Sequence, residues 1–102
     1  MAHFIVTFRI ASDSGYQERY DSFVEQVYKV ADGGIGSTWE ETTSFFSFVA
    51  AGTAASICSA LYLKSSFDSS KDIMVVIELD SRTKATKGPL EYVNTLNGAL
   101  GF

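Results

Sequence analysis

The alternation of side chains near the start of the chain is typical of a β-strand. Over residues 3–9, phenylalanine and valine occupy the even positions, while Ile5, Thr7 and Arg9 lie at odd positions. Nearly all of these residues favour extended backbone. Because Ile5 makes the second face of the segment partly apolar, the pattern predicts a central strand. The turn-forming residues 11–15 end it.

Two stretches show the three- and four-residue spacing of amphipathic helices. The first begins at Tyr16 and continues for about 16 residues, until glycines at 33 and 34 supply left-handed backbone geometry. The second follows Thr53, a residue that caps helix N-termini well, and ends around Lys64. We therefore predict two helices, each with one apolar side.

Two further segments favour strands. Residues 37–49 are rich in threonine, tryptophan and phenylalanine but are longer than one typical strand, so we predict a hairpin with its turn near 41–43. Residues 73–79 are apolar at nearly every position, as in a central strand. Between the second helix and this strand, residues 65–72 form a polar linker in which Phe67 is the one apolar anchor.

The predicted order of elements is strand, helix, strand, strand, helix, strand, which is the split βαβ pattern of ferredoxin-like folds. We therefore predict an α+β domain over residues 1–80, with a ferredoxin-like βαββαβ antiparallel sheet and two helices on one face. Residues 81–102 are predicted to be a C-terminal tail. Since the second face of such a sheet is bare, we expect dimerisation or this tail to cover it. The tail would add a strand or a short helix at the dimer interface.

Composition narrows the class of protein. The chain has 102 residues, 46% of them hydrophobic and 14% aromatic, enough for one packed domain. A formal charge of −4 excludes the basic footprint of a simple DNA-binding protein. One cysteine and one histidine exclude an internal disulfide framework and a structural zinc site. With no apolar run of about 20 residues and no signal-peptide pattern, we expect a cytoplasmic protein with no membrane contact.

Basic side chains are concentrated near the end of the chain. Residues 1–80 hold five basic against eleven acidic side chains, whereas residues 81–102 hold Arg82, Lys84 and Lys87 against a single glutamate. Together with Arg9 at the end of the first strand, these three are the candidate nucleic-acid-binding residues, since guanidinium and ammonium groups bind phosphates. The same charges can pair with acidic groups of a partner subunit or within the chain.

Other candidate groups carry weaker signals. His3 is the one side chain that titrates near neutrality without help, but no partner for it is visible in the sequence. The acidic residues at 40, 41, 68 and 72 lack the spacing of a carboxylate pair or a metal loop, so we interpret them as solvated surface groups. The familiar phosphate-binding and nucleophile motifs are absent, and we predict no cofactor.

Four segments, Phe4–Ile10, Ser37–Trp39, Thr42–Ser44 and Asp72–Leu79, resemble the SinR-like family of small bacterial proteins. That family is similar to ferredoxin-like CRISPR-associated endonucleases and to the VapD and GhoS toxin–antitoxin ribonucleases. The resemblance covers about residues 3–80 and consists of patterns of strand residues. It implies a homodimer whose sheets pack or pair across a two-fold axis, and association with nucleic acid.

The same resemblance bears on catalysis. The nuclease members place an aspartate after the aromatic residue near the end of the first strand, where two subunits hold a divalent metal between them. Arg9 stands at the matching position, and its positive charge repels a metal cation. Asp13 is the nearest carboxylate that can substitute. We therefore predict no metal site and do not expect nuclease activity of the family type.

These observations favour a dimeric binding or interaction module related to CRISPR-associated or toxin–antitoxin proteins, with a second copy, a nucleic acid or another protein as partner. The alternative is a small enzyme or ligand-binding protein of the dimeric α+β barrel type. In that alternative, His3, Tyr20 and Trp39 would line an apolar cleft between helices and sheet. A dimer that only assists a neighbouring protein is a third hypothesis.

Overall fold

A four-stranded antiparallel sheet lies at the centre of the protein, in a computed structural model that describes residues 1–102. Its strands are β1 (Ala2–Arg9), β2 (Phe45–Ala50), β3 (Ile73–Glu78) and β4 (Thr83–Lys87), in the spatial order β2-β1-β3-β4. The helices are α1 (Tyr16–Val30), α2 (Ala54–Leu63) and α3 (Val93–Leu100), with a short 3-10 helix over Gly34–Ser37. The fold class is therefore α+β, as predicted. None of these helices combines the length and apolar character that crossing a membrane requires.

The hydrophobic core lies between one face of the sheet and the first two helices. Phe4 and Val6 of β1 are fully buried, and Phe23 of α1, Val27 of α1 and Leu61 of α2 belong to the same apolar cluster. β1 pairs with β2 on one side and β3 on the other, which makes it an interior strand as its sequence pattern predicts. Both helices cover the same face, in agreement with the prediction.

The helix ends follow local sequence signals. Thr53 and Ser56 form a reciprocal capping box at the start of α2, in which the Thr53 hydroxyl oxygen accepts from the Ser56 N–H at 3.1 Å and the Ser56 hydroxyl oxygen accepts from the Thr53 N–H at 2.8 Å. α1 begins at Tyr16, and the chain after it turns through Gly33, whose φ of 83° is left-handed. The predicted positions of α1 and α2 are therefore confirmed.

The predicted hairpin over residues 37–49 is present only in part. A turn occupies residues 41–44, close to the expected position, and β2 forms its second arm. The first arm is reduced to one antiparallel bridge, in which Trp39 and Ser47 exchange both backbone hydrogen bonds at 2.9 and 3.0 Å. The 3-10 helix uses the residues up to Ser37, which leaves too few to extend the strand. The element order is therefore βαβαββα and not the predicted βαββαβ.

The C-terminal tail joins the sheet. Residues Thr83–Lys87 form β4, which pairs antiparallel with β3 across five residue pairs. After Gly88 and Pro89 the chain forms α3, and Phe102 packs back on β4, with its ring 5.4 Å from the Arg82 guanidinium carbon. The tail thus supplies both a strand and a short helix.

Candidate functional site

The face of the sheet opposite α1 and α2, which we call the open face, carries the alternate side chains of every strand. Its residues are His3, Ile5, Thr7 and Arg9 of β1, Phe45, Ser47 and Val49 of β2, Ile73, Val75 and Ile77 of β3, and Lys84 and Thr86 of β4. Trp39, edge-on to Phe45 at 5.7 Å, and Leu79 extend the apolar part of this face, and they are 45% and 49% exposed. Large apolar side chains are therefore in contact with solvent here.

The C-terminal segment covers only the β4 side of the open face. The Lys84 ammonium donates to the main-chain oxygen of Phe102 and lies 5.5 Å from the centre of its ring. Val75, on the neighbouring strand, is only 7% exposed. On the β1 and β2 side, Ile5 and Val49 are only half-buried.

A pocket of about 430 Å³ opens at one end of the open face. Its lining consists of His3, Ser37, Ser47, Phe48, Val49, Leu79 and Asp80. The ring atom Nδ1 of His3 lies 3.0 and 3.1 Å from the two carboxylate oxygens of Asp80, and the His3 N–H donates to the same carboxylate at 2.7 Å. Because a carboxylate only accepts, Nδ1 carries the proton in this contact. The other ring nitrogen, Nε2, then acts as an acceptor whenever His3 is neutral.

The contact with His3 changes the electrostatics of the Asp80 carboxyl group. Its hydrogen bonds lower the pKa of the carboxyl group, first through the His3 main-chain N–H and then through the His3 ring. Asp80 therefore stays ionised at neutral pH and holds the imidazole in one orientation. No local pattern in the sequence predicts the pair, because the two residues are 77 positions apart.

The three residues expected to line a ligand cleft do not come together. Tyr20 belongs to α1 and packs against Phe8 on the covered face, with ring centres 6.0 Å apart. His3 and Trp39 lie on the open face, but only His3 lines the pocket. The apolar core fills most of the space between helices and sheet, and the pockets that lie between α2 and the sheet are lined by none of these three residues.

The four candidate phosphate-binding residues also lie apart. Arg82 and Lys84 converge on the Phe102 ring. Lys87 alternates onto the covered face and lies 4.4 Å from the ring centre of Tyr62. Arg9 is on the open face but opposite Ile73, at the other end of the strands from Arg82. Only two of the four cations are therefore neighbours.

Asp72 is the largest departure from the sequence interpretation. We expected a solvated surface carboxylate, but it is fully buried. One of its oxygens accepts from Arg19 Nε at 2.9 Å and from the Asp68 N–H at 2.9 Å; the other accepts from the Ala11 N–H at 2.8 Å and from Arg19 Nη2 at 3.3 Å. The residues classed as a linker therefore end in a buried ion pair that joins α1 to β3.

Asp13 extends this ion pair towards the surface. Its carboxylate oxygens accept from Lys71 Nζ at 2.7 Å and from Arg19 Nη1 at 3.0 Å. Lys71, followed by Arg19, holds the pKa of the Asp13 carboxyl far below its usual range. Both oxygens already face cations, so Asp13 is poorly suited to replace the metal-binding aspartate that the family resemblance implies. No group of three or more acidic, histidine or cysteine side chains in the structure is arranged to hold a metal ion.

The site features that the sequence did not reveal are contacts between distant residues. The His3–Asp80 pair and the Arg19–Asp72 pair each join segments more than fifty residues apart. Comparison of the chain with protein-family models, with curated proteins and with solved structures finds no match in any of the three.

Proposed function

We propose that this protein is a homodimeric interaction module whose subunits pack through the open face. The observation that carries the proposal is the apolar surface on the β1 and β2 side, where Trp39 and Leu79 are exposed. Ile5, Val49 and Ile77, on the same face, are half-buried. Large apolar side chains exposed on one sheet face of a small domain are typical of a protein–protein interface. A second copy presents the same patch, so a two-fold contact buries both at once.

The sheet edges support face-to-face packing over edge pairing. β4 carries Lys84 and Lys87 and ends at Gly88-Pro89, and charged residues and proline both discourage strand addition. At the other edge, the Trp39 bridge already occupies part of β2. The open face is therefore the surface through which a symmetric dimer forms.

The proposal includes a ferredoxin-like origin for the fold. If the Trp39 bridge is counted as a vestigial strand, the elements follow the βαββαβ order, with β4 and α3 added at the end. This arrangement supports the resemblance to the SinR-like family at the level of architecture. Arg9 at the metal-binding position supports a binding role without metal-dependent nuclease chemistry.

Replacing Ile5 by lysine is expected to convert the dimer to a monomer. Ile5 lies at the centre of the proposed interface, and burying a lysine ammonium against an apolar surface is strongly unfavourable. We expect the dissociation constant to rise at least about 100-fold. Light scattering after size-exclusion chromatography measures this as a fall from twice the 11.1 kDa chain mass to the mass of one chain.

The matched control is Leu63→Lys, the same kind of change at an exposed apolar residue on α2. It is expected to remain dimeric. A monomeric wild-type protein at 100 µM, or equal loss of dimer in both variants, contradicts the proposal. Far-UV circular dichroism of each variant shows that the fold itself is intact.

Nucleic-acid binding has less support than self-association. Arg82 and Lys84 are the only neighbouring pair among the candidate cations, and their charges already face the Phe102 ring. Two phosphate contacts on an acidic protein give only weak, salt-sensitive affinity. A partner nucleic acid remains an outcome to be detected by fluorescence anisotropy over a salt series, with Lys84→Glu as the variant that removes it.

A second candidate function is small-molecule binding at the His3 pocket. The pocket has apolar walls at Val49 and Leu79 and one oriented acceptor in His3 Nε2, which suits an aromatic alcohol. With 4-fluorophenol as probe, ¹⁹F NMR is expected to show saturable broadening that His3→Ala reduces at least about fivefold. Leu63→Ala, outside the pocket, is the control. Identical broadening in His3→Ala and wild type contradicts this function.

A further inference from the structure

Glu78 is a mostly buried residue whose carboxylate is open to solvent and has no partner in its own chain. It is the last residue of β3, it points to the covered face with Met74 and Val76, and it is only 9% exposed. No ion pair and no hydrogen bond to its carboxylate is formed in the structure, in contrast to Asp72, which has four donors. The one fully buried side-chain oxygen or nitrogen without a partner is Asn97 Oδ1, so the Glu78 oxygens are within reach of an external donor.

The Glu78 side chain lines a pocket of about 370 Å³ at the start of α2. The other lining residues are Thr53, Ala54, Ala55, Ser81, Thr83 and Lys84. Thr83 is the cross-strand partner of Glu78, so the two side chains stand side by side on one face. The Ser81 hydroxyl lies 2.7 Å from the Thr83 hydroxyl. A carboxylate and two hydroxyl groups thus supply oxygen atoms to one wall.

Lys84, the one basic residue that lines the pocket, does not neutralise the Glu78 carboxylate. Lys84 lines the pocket, but its ammonium group donates to Phe102 on the other side of the sheet and forms no ion pair with Glu78. Ala54, at the N-terminal end of α2, also lines the pocket, where the helix dipole favours a negative charge. The pocket therefore presents acceptor oxygens and one unneutralised negative charge to a ligand that carries N–H donors and a positive charge.

From this geometry we propose that the Glu78 pocket binds the primary ammonium group of a small organic amine. An ammonium group has three N–H donors, which match one carboxylate and the hydroxyl groups of Ser81 and Thr83. A single carboxylate is too few charged ligands for calcium or magnesium, which take six or more oxygens. The volume holds a short alkyl chain and lies within the usual range of small-molecule pockets.

The test is a ¹H–¹⁵N correlation NMR titration of the full chain with ethylammonium chloride. We expect saturable shifts of the amides of Ala55, Ser81 and Thr83. Tetramethylammonium chloride at equal ionic strength, which has no N–H donors, is expected to give none. Glu78→Gln is expected to weaken binding at least about tenfold, because it removes the charge from the hydrogen bond.

Thr83→Val is a second variant, which tests the proposal even if Glu78→Gln impairs folding. Thr83 is exposed on an edge strand that valine tolerates well, and its loss is expected to weaken ethylammonium binding several-fold. No saturable shift up to 50 mM, equal shifts with tetramethylammonium or sodium chloride, or unchanged affinity in both variants overturns the proposal. The pocket lies on the covered face, so these outcomes do not depend on dimer formation through the open face.

Discussion

Replacing Asp72 by asparagine is expected to destabilise the protein by about 3–5 kcal/mol. Asp72 is fully buried, and its carboxylate faces the side chain of Arg19 through two hydrogen bonds. An asparagine keeps the size of the side chain but leaves the guanidinium with Asp13 as its only counter-charge. It also turns an acceptor into a donor towards Arg19 Nε or the main-chain N–H groups. Urea unfolding followed by circular dichroism measures the change in the free energy of unfolding.

The control for charge alone is Asp32→Asn, at an exposed aspartate, which is expected to change stability by less than about 0.5 kcal/mol. A double-mutant cycle with Arg19→Met separates the ion pair from the main-chain contacts of Asp72. We expect the second substitution to cost much less once the first is present, since the unpaired charge is then already gone. An Asp72→Asn protein within 1 kcal/mol of wild type contradicts a structural role for the pair.

Elements with a local signal could be predicted from the sequence. The alternation in β1 and the helical spacing of α1 depend on neighbours one to four residues away, and Thr53 caps α2 through Ser56, three positions later. The predicted second strand of the ferredoxin-like order is reduced to one bridge for a physical reason. The segment before Trp39 closes into a 3-10 helix, which composition alone does not distinguish from extended chain.

The candidate sites depend on contacts that no local pattern encodes. Asp72 was interpreted as a surface group because its neighbours Ser69, Ser70 and Lys71 are polar, yet the fold brings it to Arg19, 53 positions away. The place of Glu78 in a pocket beside α2 is likewise visible only in the structure, since no local pattern at the end of β3 predicts it. The candidate phosphate-binding residues do not all come together, in part because Lys84 and Lys87, three residues apart in a strand, point to opposite faces.

Gly88→Ala is the second substitution with a large expected effect, at the same corner of the fold. A Cβ atom at this position would lie 1.9 Å from the Asp72 carbonyl oxygen and 2.9 Å from the Ile73 Cα, both backbone atoms that cannot rotate away. The residue also has φ +99°, which L side chains rarely adopt. We expect a loss of about 3 kcal/mol or more, measured by urea unfolding, because the ends of β3 and β4 must separate.

Gly98→Ala is the matched control. Its Cβ would meet nothing within 4 Å, and it lies inside α3, where alanine is the better helix former. This variant is expected to gain about 0.4–1 kcal/mol, so the two glycines should change stability in opposite directions. Because Gly88 touches the backbone of Asp72, combining Gly88→Ala with Asp72→Asn should cost less than the sum of the two single changes. Strict additivity would show instead that the buried ion pair and the β3–β4 junction stabilise the fold independently.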